Sequence, residues 1–214
     1  MAYFGLTGGA ASGKSTVAQV FRELGAKIVD ADEVGHELLR AHLPAYQETV
    51  RRFGNGVVDP SGEIDRKRLG AIVFADPEAR RDLNAILHPR IIEAVERLAS
   101  NYELSKPSDV VLVDAALIFE AGIGGRFQKV IVVWCRPEQL VDRLMAKAGL
   151  TREEAERRIA AQMSPEEKRR RADFLIDNSG SLADARRQVE DIYPKLQRLA
   201  GGKDQTQKIK HRGH

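Results

Sequence analysis

The sequence predicts an α/β fold in which a five-stranded parallel sheet carries helices on both faces. Five short apolar runs alternate with helical patterns, and this alternation is typical of parallel sheets that are buried on both sides. The predicted strands cover residues 3–6, 27–29, 110–113, 130–133 and 174–176. Ligands bind such sheets beyond the carboxyl ends of the strands, so we expect the functional residues to follow the apolar runs.

A glycine-rich segment, GLTGGAASGKST, joins the first predicted strand to a helical pattern over residues 15–24. Gly8, Gly13, Lys14 and Ser15 match the phosphate-loop pattern of glycine, four residues, glycine, lysine and serine or threonine. Glycines let the backbone curl so that its N–H groups converge on phosphate oxygens at the start of the following helix. Lys14 is expected to reach the β- and γ-phosphates of a nucleotide, and the Ser15 hydroxyl to bind a magnesium ion.

The composition is that of a globular protein, without the excess of basic residues that is typical of nucleic-acid-binding proteins. With 214 residues and 43% apolar content, the chain is long enough to bury a sizeable core. Its net charge of +3 comes from residues 201–214, which hold four basic residues and one acid, while basic and acidic groups balance in the rest. We therefore expect no nucleic-acid partner, and we predict a disordered basic tail over residues 201–214.

The chain shows no sign of a membrane span or of an export signal. No stretch approaches the roughly 18 consecutive apolar residues of a membrane span, so no membrane partner is expected. The N-terminus lacks the pattern of a signal peptide, and the single cysteine, Cys135, lies in an apolar run. These features predict a cytoplasmic protein. The sequence leaves the oligomeric state open, and a monomer is favoured.

Two long stretches interrupt the predicted sheet. Residues 33–107 read as a helical insertion that holds a second substrate, and residues 138–171 as a basic helical lid that closes over a transferring phosphoryl group. The helices predicted in the insertion cover residues 33–39, 44–53, 66–73, 76–87 and 89–103. The remaining segments, 1–32, 108–137 and 172–200, form the predicted nucleotide-binding core, which ends in an amphipathic helix over residues 182–199.

Charged and amide side chains follow the predicted strands. They are Asp30, Asp32, Asp114, Arg136, Asp177 and Asn178. A small-molecule kinase needs a phosphate cradle, a magnesium site, a carboxylate facing the acceptor hydroxyl, and basic residues around the γ-phosphoryl group. Asp114 is placed to hold magnesium directly or through water, and either Asp30 or Asp32 to accept the proton of the acceptor.

Other classes of phosphate-loop protein are alternatives to a kinase. The chain lacks an Asn-Lys-x-Asp guanine-reading motif and a Leu-Ser-Gly-Gly-Gln signature, and it is short for a motor with its own transducing domains. These absences disfavour a GTPase, a transporter subunit and a motor. A kinase for a nucleoside or nucleotide and a slowly hydrolysing nucleotide-dependent switch both stay open.

Six sequence blocks together resemble the dephospho-coenzyme A kinase family. In chain order they are LTGGAASGKSTVA, IVDADEV, LNAILHP, ALIFEAG, RLMAKAGLTREEAERRIAAQM and ADFLIDNSG. The resemblance implies transfer of the γ-phosphoryl group of ATP to the ribose 3′-hydroxyl of dephospho-coenzyme A, the last step of coenzyme A biosynthesis. It also implies a three-part build, with a nucleotide-binding core, a helical coenzyme A domain and a lid.

The resemblance further implies roles for single residues. Asp32 is the base or the carboxylate that orients the acceptor, and Arg143 joins Lys14 at the transferring phosphoryl group. The ATP-binding residues are then Gly8, Gly9, Ala10, Ala11, Ser12, Gly13, Lys14, Ser15, Thr16 and, near the adenine, Asn178. The acceptor-binding residues that it implies, besides Asp32, are His88 and Pro89. Leu117 and Glu120, which follow the third predicted strand, are further candidates for acceptor binding. Magnesium is expected at Ser15 and Asp114.

The chain departs from the family pattern inside the phosphate loop and in the lid. Ala10 and Ala11 replace the usual Ile-Gly, so we expect an ordinary φ angle at position 11. In the lid, Lys147 stands where a second arginine is common, and a lysine cannot reproduce the bidentate phosphate contact of an arginine.

Overall fold

The computed structural model describes residues 3–106 and 109–201. It contains a five-stranded parallel sheet in the order β2-β3-β1-β4-β5, so β1 is the central strand. The strands are β1 (Tyr3–Gly8), β2 (Lys27–Asp30), β3 (Val111–Asp114), β4 (Val130–Trp134) and β5 (Phe174–Asp177). All five predicted strands are confirmed, and each extends one or two residues beyond its predicted carboxyl end.

Nine α-helices are present in the described ranges 3–106 and 109–201. They are α1 (Lys14–Glu23), α2 (Ala31–Leu38), α3 (Pro44–Phe53), α4 (Arg66–Ala75), α5 (Pro77–Ser105), α6 (Pro137–Ala148), α7 (Arg152–Ala160), α8 (Pro165–Arg170) and α9 (Leu182–Gly201). Short 3₁₀ turns lie at Asn55–Val57 and Gly124–Arg126. The predicted lid therefore consists of α6, α7 and α8.

One face of the sheet is covered by α1 and α9. Phe4 and Leu6 of β1 point to this face and pack with Ile131 and Val133 of β4 in the main apolar core. Alternate residues of a strand point to opposite faces, which is why these four positions are spaced by two. The buried stripe of α9 is Ala185, Val189, Ile192 and Leu196.

The opposite face is covered mainly by the irregular chain between β3 and β4. Val130 and Val132 point to this side and pack against Ile118. The short helix α8 also contacts β4. Helices therefore contact both faces, as predicted, but the cover on this face is mostly non-helical.

Residues 30–98 form a compact unit of their own, and residues 3–29 with the described residues from 99 to 201 form the other. The smaller unit has a separate core of Leu39, Val57, Ile64 and Leu69, closed by side chains of α3, α4 and α5. The phosphate loop and the predicted lid belong to the larger unit. The predicted insertion, 33–107, overlaps most of the smaller unit.

The predicted break between helices at residue 88 is wrong, because α5 runs without interruption through His88 and Pro89. A proline inside a helix removes one backbone hydrogen bond, which packing on either side of it can offset. Directly after it, the Arg90 guanidinium donates to the Ile86 carbonyl oxygen at 2.6 Å and to Glu48 Oε1 at 2.7 Å. These contacts support the helix at the position where the sequence pattern indicates an end.

Three further predictions concern the surface and the tail. No described helix is long and apolar enough to cross a membrane. Cys135 is buried, and burial raises the pKa of its thiol above the usual range. Of the predicted tail, Gly201 is the last residue of α9, and residues 202–214 lie outside the described part of the chain.

Candidate active site

The loop between β1 and α1 forms a tight turn with unused backbone donors. Ser12 N–H donates to the Gly9 carbonyl oxygen at 3.1 Å, and Thr16 N–H donates to the Gly13 carbonyl oxygen at 3.0 Å. The backbone N–H groups that make no hydrogen bond to any described residue include those of Ala11, Gly13, Lys14 and Ser15. Converging N–H groups at a helix N-terminus bind anions, so the loop can receive phosphate oxygens.

The two glycines of the motif are required by close approaches. Gly13 has φ of +90°, and a Cβ at this position would lie 2.0 Å from Asn178 Nδ2. A Cβ on Gly8 would lie 2.5 Å from Ser12 Oγ and 2.6 Å from the Val133 carbonyl oxygen. Side chains are therefore excluded at both positions by neighbouring protein atoms.

The expectation of an ordinary φ angle at position 11 is wrong. Ala11 has φ of +60°, in the left-handed region that favours glycine. Ala10 and Ala11 pack against an apolar cluster formed by Val141, Leu144 and Ala155 of α6 and α7. The loop thus keeps its left-handed turn without a glycine, and the contacts with α6 and α7 offset part of the backbone cost.

Lys14 and Asp114 form an ion pair at the carboxyl edge of the sheet. Lys14 Nζ contacts Asp114 Oδ1, and the side chains are 19% and 8% exposed. Asp114 is the last residue of β3 and lies in register with Leu6 of the neighbouring β1, so the parallel pairing delivers it to the loop. Ser15 is exposed in the first turn of α1. A carboxylate and a hydroxyl are oxygen ligands of the type that Mg²⁺ prefers.

Asn178 connects the end of β5 to the phosphate loop. It is 8% exposed, its Nδ2 donates to the Ser12 carbonyl oxygen at 2.8 Å, and its backbone N–H donates to the Trp134 carbonyl oxygen at 2.7 Å. The side chain therefore supports the loop. The predicted contact with adenine stays a prediction.

Arg143 of α6 lies beside the same loop. Its Nη2 donates to the Asn178 carbonyl oxygen at 2.9 Å, and its Nη1 would lie 4.0 Å from a Cβ on Gly13. Arg143 Nη1 therefore lies near Gly13, whose backbone N–H is one of the free donors of the loop. Lys147, one turn later on α6, is exposed.

In the smaller unit, the two carboxylates after β2 have different surroundings. Asp30 caps α2, since its Oδ1 accepts the backbone N–H groups of Asp32 and Glu33 at 2.9 and 3.0 Å. Such a cap satisfies donors at the helix start, and Asp30 is held in this structural role. Asp32 is exposed in the first turn of α2, and its side chain makes no hydrogen bond or ion pair with a residue in the described ranges. The geometry favours Asp32 as the free carboxylate.

The other predicted acceptor residues are distributed over both units. His88 and Pro89 lie in the middle of α5, and burial lowers the pKa of His88. Leu117, after β3, is a 40% exposed apolar side chain. The carboxylate of Glu120 pairs with Lys168, with Glu120 Oε1 2.8 Å from Lys168 Nζ. Acceptor binding by these residues stays a prediction.

Trp134 attaches α8 to the end of β4. Its Nε1–H donates to Glu166 Oε1 at 3.1 Å, and the Arg169 guanidinium lies 4.8 Å from the ring centroid. Lys168, between them, is buried. The charge run over residues 168–171 reads as a solvated helix face, and no signal in the sequence distinguishes Lys168 from its exposed neighbours. Gln162, whose Oε1 accepts the Ala10 N–H at 3.1 Å, is likewise missed by sequence reasoning.

Comparison with known proteins identifies one family. A family model described as CoaE, dephospho-CoA kinase, matches residues 2–184. A dephospho-CoA kinase from Symbiobacterium thermophilum is 46% identical over 213 residues, which is 100% of this chain and 89% of that relative. The match therefore covers both the larger and the smaller unit.

Solved structures agree with this result. The structure of TT1252 from Thermus thermophilus gives a TM-score of 0.75 at 34% identity, covering 91% of this chain and 97% of its own. The dephospho-CoA kinase from Campylobacter jejuni gives 0.67 at 31% identity, covering 92% and 97%. The phosphate loop with its Lys14–Asp114 pair and the full-length similarity lead to one conclusion: this chain belongs to the dephospho-CoA kinase family.

Proposed function

We propose that the protein transfers the γ-phosphoryl group of ATP to the ribose 3′-hydroxyl of dephospho-CoA, giving coenzyme A and ADP. The observation that carries the proposal is the phosphate loop with its free N–H groups and the Lys14–Asp114 pair, in a chain whose relatives are named dephospho-CoA kinase. Phosphoryl transfer needs little covalent chemistry from the protein. Most of the rate comes from positioning and from charge stabilisation.

The donor site is proposed around the loop. The free N–H groups of Ala11, Gly13, Lys14 and Ser15 bind the phosphate oxygens, and the Lys14 side chain places its charge at the β- and γ-phosphates. Arg143 adds a guanidinium next to Gly13, where negative charge is spread over the equatorial oxygens during transfer. Asn178 keeps the loop in shape through Ser12.

A magnesium ion fits this site by the chemistry of its donors. Ser15 and Asp114 would hold it, Asp114 directly or through water, while Lys14 moves its ammonium group toward the phosphates. When bound, the ion neutralises charge on the β- and γ-phosphate oxygens. Its presence is a proposal that rests on these oxygen donors.

The acceptor is proposed to react at Asp32 of the smaller unit. Asp32 accepts the proton of the ribose 3′-hydroxyl, the hydroxyl oxygen bonds to the γ-phosphorus, and the bond to the β–γ bridging oxygen breaks. His88, Pro89, Leu117 and Glu120 are the proposed acceptor contacts. We further propose that the lid is formed by residues 138–171 and that the protein acts as a cytoplasmic monomer.

The test is an assay of ADP release with magnesium and ATP in the presence of different acceptors. Dephospho-CoA, adenosine, CMP and no acceptor are compared, and the product is weighed by mass spectrometry. ADP release only with dephospho-CoA, together with a product heavier by one phosphoryl group, is the expected result. Equal ADP release without any acceptor would contradict it and favour a nucleotide-dependent switch.

A further inference from the structure

Lys168 of α8 carries a buried positive charge. Its side chain is 1% exposed, and its Nζ lies 2.8 Å from Glu120 Oε1 and 2.8 Å from the Ala116 carbonyl oxygen. A buried ammonium group is costly unless it is paired and hydrogen-bonded. Both partners belong to the chain segment after β3, so the buried charge connects α8 to this segment.

The carboxylate of Glu120 has a second partner in the same region. Its Oε1 also accepts the backbone N–H of Met163 at 3.0 Å. Met163 lies between α7 and α8 and directly follows Gln162. The Glu120–Lys168 pair therefore fixes the backbone next to Gln162.

Gln162 contacts the phosphate loop itself. Its Oε1 accepts the backbone N–H of Ala10 at 3.1 Å. This bond fixes the orientation of the peptide group that precedes Ala10. The N–H groups of Ala11 and of residues 13–15 make no hydrogen bond to a described residue and stay available for phosphate oxygens.

A second connection joins the network to the strand that enters the loop. The Ala116 carbonyl oxygen accepts from Thr7 Oγ1 at 3.1 Å as well as from Lys168 Nζ. Thr7 is buried and directly precedes Gly8. These hydrogen bonds thus reach the chain on both sides of Gly8, at Thr7 and at Ala10.

The sequence of this loop makes outside support necessary. Ala11 holds a φ angle of +60°, a conformation that costs more for alanine than for glycine. Strained backbone of this kind persists only where surrounding contacts hold it. Gln162 is the side chain that hydrogen-bonds the loop immediately before this residue.

We propose that Gln162 is a positioning residue for ATP and that the ion pair between Glu120 and the buried Lys168 holds it in place. The proposal rests on the proposed function, because it assigns a role within ATP binding. Gln162 acts through the N–H group of Ala10, keeping the loop in the shape that presents its free donors. Loss of one such hydrogen bond is expected to weaken ATP binding about fivefold.

The experiment compares Gln162→Met, which keeps the side-chain length and removes the acceptor, with a matched control, Gln128→Met. The Gln128 side chain also hydrogen-bonds to the backbone, since its Nε2 donates to the Leu199 carbonyl oxygen at 3.4 Å. Gln128 lies beside Tyr3, at the amino end of β1, whereas the phosphate loop follows the carboxyl end of this strand. Calorimetric titration with ATP, without acceptor, gives Kd. Steady-state kinetics give KM for each substrate, and thermal unfolding gives Tm.

Gln162→Met is expected to raise Kd and KM for ATP about fivefold, with KM for dephospho-CoA unchanged. Gln128→Met is expected to keep the wild-type Kd for ATP, whether or not its Tm changes. An unchanged or a tighter Kd in Gln162→Met overturns the proposal. If the wild-type protein does not bind ATP, this result would instead contradict the proposed function.

The role of the Glu120–Lys168 pair is tested with Glu120→Gln, which is milder than removing the buried Lys168. Because Glu120 is proposed to act through Gln162, the double variant Glu120→Gln with Gln162→Met should bind ATP no more weakly than the weaker-binding single variant. Additive losses in Kd would show that Glu120 acts elsewhere and overturn this link.

Discussion

The side-chain amide of Asn178 donates a hydrogen bond to the carbonyl oxygen of Ser12, 2.8 Å away and 166 positions earlier in the sequence. The contact joins the end of β5 to the middle of the phosphate loop, two strands away from it in the sheet. It leaves no room for a side chain on Gly13, which lies between Ser12 and Lys14. The shape of the loop therefore depends on the last strand of the core as well as on its own glycines.

Gly13→Ala is expected to disrupt the loop. The new Cβ would lie 2.0 Å from Asn178 Nδ2, at a φ angle of +90°. The left-handed conformation alone costs an alanine about 1–2 kcal/mol, so the free energy of unfolding should fall by at least this amount, and ATP binding should be lost or strongly weakened. Denaturant unfolding and calorimetric titration measure both.

The matched control for this prediction is Gly125→Ala, in the same unit. A Cβ on Gly125 meets no atom within 4 Å, so this variant should keep the wild-type affinity for ATP. Equal behaviour of the two variants would contradict the proposed packing of Asn178 on the loop.

Asp32→Asn is expected to stop phosphoryl transfer while ATP binding is preserved. Removing a general base typically lowers the rate by about 100-fold to 10,000-fold. The Asp32 side chain, unlike its backbone N–H, makes no hydrogen bond to a described residue, so the exchange should leave the fold intact. Comparison of kcat with the Kd for ATP separates the two effects. Glu33→Gln, the next acid in the same exposed turn, is the control and should keep its activity. Near-normal turnover of the Asp32→Asn variant would show that Asp32 is not the general base.

Arg143→Lys is expected to lower kcat about tenfold to 100-fold, because a lysine keeps the charge but not the planar set of donors. KM for dephospho-CoA should change little, since Arg143 lies beside Gly13 and Asn178 of the larger unit. The control is the same exchange at Arg152, which is 60% exposed and pairs with Asp142. If both variants match the wild-type kcat, the guanidinium of Arg143 has no role in transfer.

His88 is expected to make the stability of the fold depend on pH. Burial lowers its pKa in the folded state below the value of 6.5 for the free side chain, so the unfolded chain binds a proton more readily. This contribution to stability is present above pH 6.5 and is lost as the pH falls through that value toward the folded pKa. His88→Asn should therefore lose less stability than the wild type on acidification, as measured by urea unfolding at several pH values.

The control for the pH prediction is His36→Asn, which alters an exposed histidine of α2. Its unfolding free energy should follow the wild-type pH dependence. Parallel curves for the wild type and His88→Asn would show that His88 does not titrate differently in the folded state.

The sequence predicts the centre of the sheet well because β3, β1 and β4 are short apolar runs buried along nearly their whole length, as in Val111–Asp114. The position of Asp114 beside Lys14 also follows, since parallel strands end at one edge. The choice between Asp30 and Asp32 does not follow. Only the geometry of the α2 cap shows that the Asp30 carboxylate is occupied.

The parts that could not be predicted depend on contacts between distant residues. Pro89 reads locally as a helix end, but packing and the bonds of Arg90 carry α5 through it. Ala11 reads locally as an ordinary residue, but packing against α6 and α7 holds it at a positive φ angle. The residues around Lys168 in the sequence give no sign that it is buried, because its partner, Glu120, lies nearly fifty positions earlier.

Trp134 is the only tryptophan of the chain, and it is held between Arg169 and Glu166 of α8 at the end of β4. In optical terms, the protein contains a single tryptophan fluorophore, whose surroundings are set by the last helix of the predicted lid. A movement of α8 away from β4 would remove a cation from the face of the indole and expose its N–H group to water. The emission of the unlabelled protein would then report such a movement in real time as ATP is added.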